Sequence, residues 1–138
     1  MDLRETIDYC IKSAVNIGQE TYGKELDFSD ESIGIVDEIL DGYHERYLHP
    51  ERDDAFMKSR PNTYAYIFGI YVGEVLLRNH TGDYSWQELE YGIVLAKNDK
   101  NQVNPIAKAN KQIVNGKESG DDIQSFFNIA IMIMNGQF

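Results

Sequence analysis

The chain has one cysteine, Cys10, in 138 residues. That excludes an internal disulfide framework and points to a reducing, cytoplasmic setting. It lacks an apolar run long enough for a membrane. The best stretch, 61–77, is short, contains Glu74 and is rich in tyrosine and glycine, so it reads as a buried core helix. The amino-terminal MDLRETIDYC places acids and a base where a signal peptide would be apolar. Bases are scarce as well: 13 Lys and Arg face 23 Asp and Glu, for a net charge of −10. Nucleic acid and anionic membranes are poor partners for such a surface.

Catalytic signatures are also missing. No G-x-S-x-G, P-loop or dinucleotide-type glycine pattern occurs. His44 and His49 stand five apart, off any common helix face, and no H-E-x-x-H exists, so zinc is not expected. The stretch Asn98–Asn101 resembles a calcium loop only superficially, without the required glycine and closing glutamate. All-α nucleotide pyrophosphohydrolases hold magnesium on paired E-x-x-E and E-x-x-D motifs from facing helices. Glu38-Ile-Leu-Asp41 supplies one such motif with Asp37 beside it, but the facing helix would offer only Glu74. The reading is therefore no catalytic residue, no metal and no cofactor. The alternative is a metal-dependent nucleotide-handling hydrolase on an all-α scaffold, with Asp37, Glu38, Asp41 and Glu74 as ligands.

What is present is an ordinary globular composition, 42% apolar and 26% charged, with the length of one domain. No repeat or linker divides it, so 1–138 is read as a single, mostly α domain. Leu3, Ile7, Cys10, Ala14 and Ile17 recur at steps of three and four, one face of a helix from about 2 to 22 ending near Gly23. Ile33, Val36, Leu40, Tyr43 and Tyr47 repeat the pattern after Ser29, a plausible N-cap. That phase puts Asp30, Asp37 and Asp41 largely opposite the apolar stripe. The polar YLHPERDDAFMKSRPN then reads as a loop.

Pro61 opens a third helix that should stop around Gly82. Apolar nearly all round, it should be the central helix, with Gly69 and Gly73 forming a flat strip for a close neighbour. Leu89, Tyr91, Ile93 and Leu95 alternate before the turn-rich KNDKN, which suggests a short β-hairpin near 89–103. A short helix around WQELEYG competes with that reading. Asn104–Pro105 starts a helix to about Asn115, closed by Gly116. Ser119 with Asp122 resembles a capping box for a last helix that buries Ile123, Phe127, Ala130 and Met134.

The series Phe68-Gly69-x-Tyr71-x-Gly73-Glu74-Val75, then Trp86, then Lys111-x-x-x-Asn115-Gly116 and Asp122-Ile123-x-Ser125-Phe126-Phe127 has a familiar order. Over roughly 60–130 it resembles a loose group of small, uncharacterised bacterial proteins. These carry a Gly-x-Tyr-x-Gly-Glu-Val helix, a tryptophan soon after it and a late Asn-Gly helix end. The resemblance implies a mostly helical scaffold and places Glu74 in a recurring motif. It implies no reaction.

Glu74 is the only charged residue from Pro61 to Leu77, and a buried carboxylate is costly unless paired. Arg78, four residues on, is its natural helix partner, and Lys111 is a second through tertiary contact. The preferred reading is a structural carboxylate; the other is a binding pocket made with Tyr71, Arg78 and Trp86. The segment Glu25–Asp41 holds seven acids and no base. Its residues Asp30, Glu31, Asp37, Glu38 and Asp41 form a candidate acidic face for a basic protein, as in immunity- or antitoxin-like proteins. The carboxyl-terminal IAIMIMNGQF is apolar on several sides, so a homodimer through the last helix is also expected.

Overall fold

The computed structural model describes residues 1–51, 60–80 and 83–137. Among them are five α-helices, one 3-10 turn and three strands: α1 (Leu3–Tyr22), α2 (Ser32–Leu48), α3 (Pro61–His80), β1 (Ser85–Leu89), β2 (Gly92–Asn98), β3 (Asn101–Val103), α4 (Pro105–Asn115), the turn Lys117–Ser119, and α5 (Ile123–Met134). The protein is mostly α with a small antiparallel sheet of order β1-β2-β3. No helix among the described residues is long and apolar enough to cross a membrane.

Local chemistry sets the helix ends. The Asp2 side chain accepts from Glu5 N–H at 2.8 Å and starts α1, and Gly23 closes it in the left-handed region at φ 64°. Asn104 Oδ1 accepts from Ala107 N–H, Pro105 fills the first turn, and α4 ends at Gly116. The start of α2 is tighter than expected. Ser29 Oγ does accept from Ser32 N–H, but successive i+3 bonds from Ser32, Ile33 and Gly34 delay the regular helix to Ser32. The start of α5 differs outright. Its cap is Asp122, which accepts from Ser125 N–H. Ser119 belongs to the preceding 3-10 turn, where its hydroxyl donates to Gly116 C=O. The stop of α3 around Gly82 and most of the loop after Leu48 fall on 52–59 and 81–82, outside the described residues.

Helix α3 is the centre. Eleven of its side chains or glycines are buried, from Ala65 through Leu76, and α1, α2, α4 and α5 all pack on it. The glycine strip has two users. A Cβ on Gly69 would lie 2.6 Å from Ile106 Cα, so here the backbones of α3 and α4 touch. At Gly73 the occupant is a ring, with Trp86 Cζ2 2.6 Å from a would-be Cβ. The sheet starts earlier than the alternation implied: WQELEYG is β1 and its turn, not a helix. Trp86 pairs opposite Leu95, and Leu95 opposite Val103. Asn98 Oδ1 accepts from Lys100 and Asn101 N–H and folds the β2–β3 turn.

One buried amide ties three helices. Gln112 of α4 is fully buried. Its Nε2 donates to Asp37 Oδ1 at 2.8 Å and Asp41 Oδ1 at 3.0 Å, and its Oε1 accepts from Ile123 N–H at 2.7 Å. Asp37 Oδ2 also accepts from Gln124 N–H. Asp37 and Asp41 therefore lie on the flank of α2 that faces α4 and α5, not opposite the apolar stripe.

Candidate functional site

Glu74 is a junction between the sheet and the loop before α2. Its side chain is 11% exposed. Trp86 Nε1–H donates to Oε1 at 3.3 Å, and Arg78 Nε–H donates to Oε2 at 3.4 Å. The missing Cβ of Gly73 leaves the space in which the Trp86 ring sits, one position before the carboxylate that its N–H reaches. Lys111 is not brought to this carboxylate: it lines the groove between α4 and α5.

Arg78 carries the link onward. Its guanidinium lies 3.8 Å from the centroid of the Phe28 ring, a cation–π contact. Among the described residues Phe28 is the one non-glycine with positive φ, at 65°, a conformation that costs energy and persists only when its surroundings fix it. Three side chains of α3 do so. Phe28 N–H donates to the Tyr71 hydroxyl at 2.9 Å, Asn79 Nδ2 donates to Phe28 C=O at 2.9 Å, and Arg78 covers the ring. Tyr71 and Ser32 oxygens are 2.8 Å apart. Since the Ser32 hydroxyl donates to Ser29 C=O, the Tyr71 hydroxyl donates to Ser32. Burial pushes the Tyr71 hydroxyl above its ordinary pKa, which keeps that proton in place. Asp30 closes the loop by accepting from Asn79 Nδ2 at 3.0 Å and pairing with His80 Nε2 at 2.7 Å.

Glu74, Arg78, Tyr71 and Trp86 thus belong to one network that joins α3 to β1 and to the loop before α2. Substituting Glu74→Gln should lower the unfolding free energy by about 1–3 kcal/mol, because Arg78 loses its counter-charge in a half-dry place. Denaturant unfolding reads this directly. A midpoint equal to wild type, with loss of a binding event, would assign Glu74 to a working site instead.

The five acids of the candidate face separate into two sets. Asp30, Asp37 and Asp41 are hydrogen-bonded to other elements of the chain. Glu31 and Glu38 are exposed and have no partner among the described residues, and Glu45 joins them at the same seven-residue spacing with only a 3.8 Å approach to His49. Seven residues are close to two helical turns, so the three carboxylates line one face of α2 about 10 Å apart. Between them stand Gly34, where an added Cβ would meet nothing within 4 Å, and Gly42, whose nearest neighbour would be Tyr22 Oη at 4.0 Å. At the end of this face is a cleft of about 320 Å³ lined by Asp41, His44, Glu45, Lys117 and Glu118. Lys117 Nζ sits 2.9 Å from Asp41 Oδ2, and that carboxylate holds the ammonium pKa above its usual value. The His44 ring donates from Nδ1 to Ile113 C=O at 2.8 Å.

The acids weighed as metal ligands are not assembled. Asp37 and Asp41 hold Gln112, Glu38 is exposed, and Glu74 holds Trp86 and Arg78. Among the described residues no group of three or more His, Cys, Asp or Glu could hold a metal ion. Cys10 is buried in the core, and burial pushes its thiol pKa up, away from nucleophilic thiolate. No family model, curated protein or solved structure matches the chain.

Proposed function

We propose that the protein is a non-catalytic binding protein that captures a basic protein partner on the outer face of α2, in the manner of immunity- or antitoxin-type proteins. The observation that carries this reading is the division among the acids. Asp30, Asp37 and Asp41 are engaged by hydrogen bonds to other elements, and Glu31, Glu38 and Glu45 are left exposed in a row. The glycines between them support it. Glycine inside a helix costs roughly 1 kcal/mol relative to alanine, and Gly34 is offset by no internal packing. A side-chain-free strip rimmed by carboxylates lets a cationic surface approach the helix backbone closely. Charge of one sign over that face would speed encounter and reject acidic competitors.

The test is affinity capture from the cells that make the protein, with the wild type beside Glu31→Lys/Glu38→Lys/Glu45→Lys. The expected result is one strongly basic polypeptide held stoichiometrically by the wild type and lost from the triple variant, whose unfolding midpoint stays at the wild-type value. Equal capture by both proteins would remove the role of this face.

Self-association through α5 belongs to the same reading. The helix IQSFFNIAIMIM has no charged residue, and Ile129 and Met132 are 49% and 41% exposed. Residues 93–138 hold five bases and four acids, against 8 and 19 in 1–92, so two copies repel least on this side. Analytical ultracentrifugation should show mass rising with concentration in the wild type and a fixed monomer mass in Ile129→Glu/Met132→Glu. A monomer at every concentration in both contradicts it.

A further inference from the structure

A second cleft, of about 210 Å³, lies where the first turns of α3, the β1–β2 turn and the first turns of α4 meet. No part of its wall comes from α2. Its polar lining is Asn62, Tyr66, Tyr91, Asn104 and Asn110, with Gly92 at the edge and no charged side chain. Two of these groups are already used: Asn104 caps α4 by accepting from Ala107 N–H, and the Tyr91 hydroxyl donates to Gln102. The remaining three are not. Asn62 and Tyr66 have no hydrogen-bond partner among the described residues, and Asn110 Oδ1 is buried with none either.

A buried amide oxygen without a partner is uncommon in a folded protein, and an apolar side chain of the same size would carry no such penalty. At Asn110 the polar side chain costs stability, and only a further hydrogen-bond partner offsets that cost. The unused groups are neutral and mixed, one phenol and two amides, so together they ask for a ligand that donates and accepts at several points. An ionic ligand would leave water for a wall with no counter-charge. The ring of Tyr91, 66% exposed, offers a flat apolar face at the mouth, and Gly92, at φ 131°, adds no side chain to obstruct it.

We propose that this cleft binds a single uncharged sugar ring. Its hydroxyls, each both donor and acceptor, pair with Asn110, Tyr66 and Asn62, and its C–H face lies on Tyr91. The Asn110 oxygen is in the wall and not on its surface, so the ligand engages it by a turn of the amide about χ2, a torsion with broad wells.

The test is NMR titration of the ¹⁵N-labelled full chain with D-glucose, D-galactose and N-acetyl-D-glucosamine at millimolar concentration, with adenosine as the comparison ligand. At least one sugar should shift the Asn110 and Asn62 side-chain amides and the Gly92 N–H saturably. Asn110→Leu should bind at least tenfold more weakly while unfolding at the same midpoint as wild type or above it. Tyr66→Phe, which removes one hydroxyl, should also weaken binding if the leucine variant fails to fold. No saturable shift with any sugar, tighter binding of adenosine, sugar affinity unchanged in Asn110→Leu or Tyr66→Phe, or a lowered midpoint in a folded Asn110→Leu would each overturn the proposal.

Discussion

Replacing Gln112 by glutamate should cost the fold about 3–5 kcal/mol at neutral pH, the range for an uncompensated buried charge. The amide is the one group that both donates to Asp37 and Asp41 and accepts from Ile123 N–H. A carboxylate there accepts but cannot donate, and sets a third negative charge against two others in a site with no exposure. The effect should depend on pH with a definite sign. Burial and its two acidic neighbours raise the folded-state pKa of the introduced carboxyl above its unfolded value of about 4.3. The folded state then holds more protons than the unfolded state, so the variant loses stability relative to wild type as pH rises through that window. Parallel urea titrations across pH should show the gap closing on acidification. A gap independent of pH would mean that packing, not charge, makes Gln112 irreplaceable.

Gly69→Ala should be the most damaging of the small substitutions, at about 3 kcal/mol, the upper part of the range for overpacking. The new methyl would meet Ile106 Cα at 2.6 Å and Ile106 N at 2.9 Å. Both are backbone atoms at the start of α4, so no rotamer change relieves the contact and α4 must move as a unit. The gain in helix propensity, about 1 kcal/mol, offsets only part of this. Gly34→Ala supplies the internal contrast. Its methyl meets nothing within 4 Å, so the same propensity gain should appear as added stability. Thermal unfolding of the pair should move in opposite directions; equal shifts would refute the close approach of α3 and α4.

Helices were legible in the sequence where capping chemistry agreed with apolar periodicity. Gly23, the Asn104–Pro105 pair and Gly116 mark their boundaries almost to the residue. The sheet was legible only in part. In β2, Ile93, Val94, Leu95 and Ala96 are all buried, so both faces are covered and alternation is not its true signature. Trp86 lies in β1, outside the alternating run 89–95, and its ring serves Gly73 and Glu74 on another element. At the site, the Arg78–Glu74 pair follows from spacing alone. Its extension does not. The Gln112–Asp37 and Phe28–Tyr71 bonds join residues 75 and 43 apart, and only the packed fold sets such distances. The phase of α2 likewise placed Asp37 and Asp41 outward because an apolar stripe predicts the core face and says nothing of a polar group buried beside it. The signal that could have found this was the lone glutamine amid the buried face of α4, where Ile106, Ala109 and Ile113 are its neighbours.

The proposed capture of a basic protein on the outer face of α2 is tested most directly by the association rate of such a partner as salt is raised. For the wild type, the rate should fall about tenfold or more between low and high ionic strength, as screening removes the steering field of Glu31, Glu38 and Glu45. In Glu31→Gln/Glu38→Gln/Glu45→Gln the low-salt rate should already sit near the wild-type high-salt value and change little with salt. The same steep salt dependence in both proteins would contradict the assignment of this face.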